Sequence, residues 1–197
     1  MNKQLVVSLV LSVCSLGAMA QSSTAGSVQR DVNQQTRIEQ GLKSGELNTR
    51  EAAALEKEES RIDRMQTRAL QDGKVSPEEQ ARIKAAQDKA SRDIANAKHN
   101  DVHGNPASAS SQRMQADVQR NVNQEQRIEN GVKDGSLTNR EAAKLERGQA
   151  RVTRTEAAAG ADGHVGAHEQ KNIQKRENHQ SKRIHKERHD EQERKPQ

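Results

Sequence analysis

The chain has 197 residues, 31% of them charged, with a net charge of +5, seven histidines, one cysteine and no Phe, Tyr or Trp. A lone cysteine excludes an internal disulfide, and a chain without aromatics lacks both the stacking platforms of a single-strand nucleic-acid binder and the material of a deep apolar pocket. Positive and negative side chains are interleaved, which suits helices laced by i,i+4 pairs better than a self-repelling coil.

Residues 1–20 read as a secretory signal: Asn2-Lys3, an apolar run from Leu5 to Leu16, and Ala18-Met19-Ala20 as a small-x-small cleavage site. Lipidation at Cys14 is the alternative, set against by the bulky Val13 before it. The expected product is exported to a periplasm or the medium after cleavage at about Ala20. No later stretch is apolar enough to span a membrane. Beyond the cleavage site only 22 of 177 residues are Leu, Ile or Val, so the expected core is thin and the helices locally frayed.

A polar leader, residues 21–27, precedes a first helix from Val28 to Gly41. Asn48 with Glu51 caps a second helix that runs to about Gln71. Ala52, Leu55, Ile62, Met65 and Ala69 make its apolar face, and Glu56, Lys57, Glu58, Glu59, Arg61, Arg64 and Arg68 fall on its other faces. Asp72-Gly73 ends it. Ser76-Pro77-Glu78-Glu79 opens a third helix with an N-cap, a first-turn proline and a capping box. Residues 100–113 are rich in Gly, Pro, Ser and Asn and read as a flexible linker. From Met114 the pattern restarts. Val28–Asp101 and Val118–Glu191 align without a gap at 31 identities in 74 positions, the mark of a duplicated unit. Gly148 and Gly160 interrupt the second copy, which also carries five of the histidines.

The turns carry a resemblance. Asp72-Gly73-Lys74-Val75-Ser76 with Glu79, and Asp162-Gly163-His164-Val165 with Glu169, resemble the second half of an EF-hand calcium loop, as does Asp134-Gly135-Ser136-Leu137 with Glu141. The resemblance implies calcium ligation by Asp72, Glu79, Asp162 and Glu169. Arg68 and Leu70 stand where the first half of a loop would supply oxygens, and Ala158 and Gly160 do so in the other copy. Helix capping explains the same turn residues without a metal.

His185 and His189 lie i,i+4 on the last predicted helix and Glu193 continues their row, a possible ligand set for Zn, Ni or Cu. The basic run from Lys171 to Arg188 suits an anionic envelope component better than nucleic acid. There is no phosphate-binding glycine loop and no nucleophile with a base, so no enzymatic activity is expected. The expected fold is all-α: two tandem up-down-up three-helix repeats, 28–99 and 114–190, joined by the linker and followed by a charged tail, 191–197. The expected role is a non-enzymatic exported binding or interaction module, able to oligomerise, in which a partner covers the Val32, Leu55, Ile62, Ile83 and Ile94 faces. Metal or cation binding is the alternative.

Overall fold

The computed structural model describes residues 16–190, with side chains from Thr24 onward; Glu193 and the charged tail lie outside the described residues. Six α-helices follow one another: α1 Leu16–Ser44, α2 Thr49–Ala69, α3 Pro77–Lys98, α4 Ala109–Asp134, α5 Asn139–Ala159 and α6 Ala167–Arg188, with a 3₁₀ turn at Gly160–Asp162. There is no strand among the described residues. The helix starts follow their caps. Asn48, Ser76 and Thr138 each accept the N–H three residues on, and Glu51, Glu79 and Glu141 return the bond to the cap's own N–H. Such reciprocal caps fix where a helix begins and satisfy two of its free donors. The α1–α2 and α4–α5 turns close alike. Gly45 and Gly135 take φ values of 80° and 82°, and Leu47 and Leu137 donate back to the Gly41 and Gly131 carbonyls at 2.9 and 2.8 Å. Left-handed glycines at this position are the ordinary way a helix stops.

The two sequence copies interlock. α2 runs antiparallel along α5: Arg50, at the start of α2, donates to the Asp162 carbonyl at 2.7 Å, and Asn139, at the start of α5, donates to the Gly73 carbonyl at 2.9 Å. α1 pairs with α4 in the same sense, with Gln115 reaching the Leu42 carbonyl. α3 covers α1 through Gln34 and Arg37, bonded to the carbonyls of Gln87 and Ser91. α6 covers α4 through Gln124 and Arg127, bonded to those of Glu177 and Ser181. The α3–α1 bonds and the α6–α4 bonds are the same two, shifted by 90 residues.

Aliphatic packing is split between two clusters, and each draws on both copies. One joins Ile38, Leu42, Leu47 and Ile94 to Met114, Val118, Val165 and Ile173. The other joins Val28 and Leu70 to Ile128, Val132, Leu137, Leu145 and Ile184. Val32, Leu55, Ile62, Ile83 and Ile94, the faces expected to meet a partner, are all buried within the chain, and Val102 is the exposed large hydrophobic among the described residues. The aliphatic stripes are consumed by packing between the copies.

Two further expectations are revised. The linker is pinned rather than flexible: Gly104 donates to the Gly45 carbonyl at 2.9 Å, and Asn100 donates to Glu51. A methyl group on Gly104 would lie 2.4 Å from the Leu47 carbonyl oxygen and 2.8 Å from the Asn48 Cα. Both are backbone atoms that cannot swing aside, so Gly104→Ala is expected to cost about 1–3 kcal/mol and to lower the thermal midpoint by several degrees. Calorimetry of the variant checks this. Gly148 does not break its helix. α5 runs through it, and the missing side chain admits Gln180 of α6, whose amide would lie 1.9 Å from a Cβ there and which donates to the Leu145 carbonyl.

A candidate cation site in a buried acidic core

Between the two aliphatic clusters the bundle is polar. Nine carboxylates lie there at no more than 2% exposure: Asp31, Glu56, Glu59, Asp63, Asp117, Glu125, Glu146, Glu156 and Glu177. Among the described residues no Lys, Arg or His is buried with them. Placing ionised carboxylates away from water costs several kcal/mol each unless something compensates. Some compensation is visible. Asp31 accepts from Gln66 and Gln87 at 2.5 and 2.7 Å. Glu156 accepts from Asn121 and Asp117 from Gln170, both at 2.6 Å. Arg120 reaches in from the surface to Glu177 at 3.2 Å.

The least compensated region lies where α2 and α5 cross. Here Ser60 donates to the Ala150 carbonyl at 2.9 Å and Thr153 donates to Asp63 at 3.3 Å. Asp63, Glu125 and Glu146 each offer a carboxylate oxygen, and the three lie within 4.8 Å of one another. Glu59, one helical turn before Asp63, is 1% exposed, and neither of its oxygens has a hydrogen-bond partner; the same is true of Glu146. Gln149 faces Glu125 from α5, fully buried, and its amide opposes the upward push of burial on the Glu125 carboxyl.

Comparing the copies shows what is special about this place. The residues 90 positions away from Glu125 and Glu146 are Gln35 and Glu56. There the Gln35 amide donates to Glu56 at 3.1 Å. Likewise Asp63 answers to Thr153 and Glu59 to Gln149. Gln35 and Glu56 thus form an amide–acid pair where Glu125 and Glu146 are both acids. Four carboxylates gather at the second place, with the Thr153 hydroxyl against Asp63 and the Gln149 amide beside Glu125 as their neutral neighbours.

Burial dominates the titration of this core. It lifts Asp31 to about 7 and Glu56 to about 8, against the hydrogen bonds from Gln66, Gln87 and Gln35. It lifts Asp117 to about 7 and Glu177 to about 8 as well. Glu59, Asp63, Glu125 and Glu146 are pushed well above the usual carboxylate range, first by burial and then by the charge of neighbouring acids, Asp31 among them in every case; Glu156 is raised by burial and by Glu56, Asp117 and Glu177. Such a cluster stays closed near neutrality in one of two ways: it keeps its protons, or a cation replaces them.

The turn residues with EF-hand resemblance are placed apart and already engaged. Asp72 and Asp162 accept the N–H groups of Lys74 and His164 at 2.9 and 2.8 Å. Glu79 and Glu169 accept those of Ser76 and Gly166. His185 and His189 are exposed, their rings tilted by 38° with centroids 4.3 Å apart, and the His189 Nδ1 is held by the His185 carbonyl at 2.7 Å. His99 makes the same contact with Ala95, so this is how both copies end their last helix.

No family model, curated protein or solved structure matches this chain. Its functional reading rests on the site itself.

Proposed function

We propose that this chain is a non-enzymatic, exported helical protein that binds a hard divalent cation inside its core, on Asp63, Glu125 and Glu146, with Glu59 and the Gln149 carbonyl oxygen beside them. The observation that carries the reading is the mutual approach of three buried carboxylate oxygens within 4.8 Å, without a basic residue buried among them. Three oxygens at that spacing can share an ion held about 2.3–2.6 Å from each, the range of calcium–oxygen bonds. The donor set is oxygen alone, which suits calcium or manganese better than the zinc, nickel or copper that the histidines suggested. Magnesium fits less well, because it keeps several waters and these carboxylates are buried. Two interlocked three-helix units explain how a chain with so few aliphatic residues closes over such a core: the copies supply each other's packing surface. The signal-like N-terminus supports export, and with it access to extracellular calcium. The expectation of an interaction module loses its motive, since the apolar faces that suggested it are turned inward.

Titration of chelator-treated protein with Ca²⁺, Mn²⁺, Zn²⁺ and Mg²⁺ at pH 7.5 tests the proposal. Calcium or manganese is expected to raise the thermal midpoint by several degrees at sub-millimolar concentration, since a ligand that prefers the folded state must stabilise it. A thermal midpoint unmoved by millimolar calcium and manganese would falsify it.

A further inference from the structure

The corner where the start of α5 meets the end of α6 shows a second departure between the copies. In the first copy, the capping Glu51 takes the Asn48 N–H on Oε2 at 3.0 Å, and its Oε1 takes the Asn100 amide at 2.7 Å. Both oxygens are satisfied. In the second copy, Glu141 takes the Thr138 N–H and hydroxyl on Oε2 at 2.8 and 2.7 Å. Its Oε1 has no hydrogen bond, although Glu141 is only 2% exposed. The residue answering to Asn100 is Asp190, and the one answering to Ala97 is Glu187. The amide donor has become a carboxylate, and a third carboxylate has joined it. Glu141, Glu187 and Asp190 each bring an oxygen to within 4.8 Å of the others. Lys144 pairs with Glu187 from the solvent side, at 3.6 Å and 56% exposed.

We infer that Glu141, Glu187 and Asp190 form a second, surface site for a hydrated divalent cation, calcium by its donor chemistry. The ion takes over the place of the amide proton that the first copy supplies to Glu51 from Asn100. One ligand is held by the helix cap, one comes from the last turn of α6 and one from just past its end, so binding also ties the end of α6 to the start of α5. With three protein carboxylates and water completing the 6–8 oxygens, the site belongs with the weaker calcium sites, of roughly 10⁻⁴–10⁻³ M. It shares no residue with the core site and does not depend on it.

The test uses the full mature chain carrying Glu125→Gln, which disables the core trio, so that failure of the core reading cannot mimic failure here. Calcium titration by calorimetry is expected to show one weak site, and adding Asp190→Asn, which restores the first copy's amide, is expected to weaken it at least tenfold. Manganese should broaden the backbone amide resonances of residues 138–144 and 186–190 before any others, a readout that also works on the unaltered chain. The converse pair, Ala97→Glu with Asn100→Asp, is expected to create an additional weak site at Glu51. Equal calcium affinity with and without Asp190→Asn, or early broadening elsewhere on the surface, overturns the inference.

Discussion

Freed of divalent cations, the protein is expected to be more stable at pH 5 than at pH 8, with a thermal midpoint that falls by on the order of 10–20 °C across that range. This is the reverse of ordinary acid denaturation, and the buried carboxylates are its cause. Below about pH 4 they are protonated in the folded and the unfolded chain alike, and their burial costs little. As pH rises, the unfolded chain ionises first, while the folded chain holds its protons. Unfolding then releases protons and is favoured increasingly until the folded groups titrate in turn. For Asp31, lifted from 3.8 to about 7, the interval is pH 4–7 and the stability withdrawn is about 4 kcal/mol. Glu56 and Glu177, each lifted from 4.5 to about 8, extend the interval to pH 8. The nine contributions do not add, because the groups share each other's field, but even two or three rival the 5–15 kcal/mol that holds a domain folded. At roughly 2–4 °C per kcal/mol for a chain of this size the shift is easily measured. The carboxylates whose titration is lowered, Glu46, Asp88 (to about 2), Asp93 and Asp134, by their Ser, Lys or Arg partners, act in the opposite sense, but only below about pH 5 and from the screened surface. Thermal melts in chelator at pH 4.5, 6, 7 and 8 read the profile directly. A midpoint that rises with pH would show that the core acids are ionised and solvated rather than enclosed.

The all-helical fold and the caps at Asn48 and Ser76 could be read from the sequence because each is a local pattern. Ser76-Pro77-Glu78-Glu79 specifies its helix start without help from the rest of the chain. The acidic core could not be read in that way. Glu56 and Glu59 fall beside the apolar stripe of α2 and look like solvated positions on a helix with one buried face. α2 is instead enclosed on several sides, by α5 along its length and by α3, so residues beside the stripe are buried too. Two clues were present in the sequence. So few aliphatic residues cannot fill the interior of a six-helix bundle, so polar groups had to enter it. The copies also differ where they need not, with Glu125 for Gln35 and Asp190 for Asn100. Those substitutions acquire meaning only once Glu146 and Glu141 are seen beside them, a fact of packing rather than of spacing.

The substitution that distinguishes a binding site from a packing accident is Glu125→Gln. It gives the second copy the residue that the first copy carries at Gln35, in a backbone setting that recurs at the same shift. The new amide can donate to Glu146 as Gln35 donates to Glu56 at 3.1 Å, and one buried acid is removed. A hydrogen bond to a charged acceptor is worth about 1.5–3 kcal/mol, so the cation-free variant is expected to melt about 3–10 °C higher than the parent at pH 7.5. Its stability profile should also flatten between pH 5 and 8. In the same variant the stabilisation by calcium or manganese is expected to shrink to the small share of the surface site, because the trio has lost a charged ligand and gained an N–H that points at the ion. The two effects have opposite signs, which loss of folding cannot imitate, since a damaged core would lower the midpoint and the cation response together. The reciprocal change, Gln35→Glu, should destabilise the cation-free protein at pH 7.5 and leave it more stable at pH 5 than at pH 8 by a wider margin. If Glu125→Gln leaves both the midpoint and the cation response unchanged, the four carboxylates at the α2–α5 crossing are not a ligand site. The protein then keeps its core closed by protons alone.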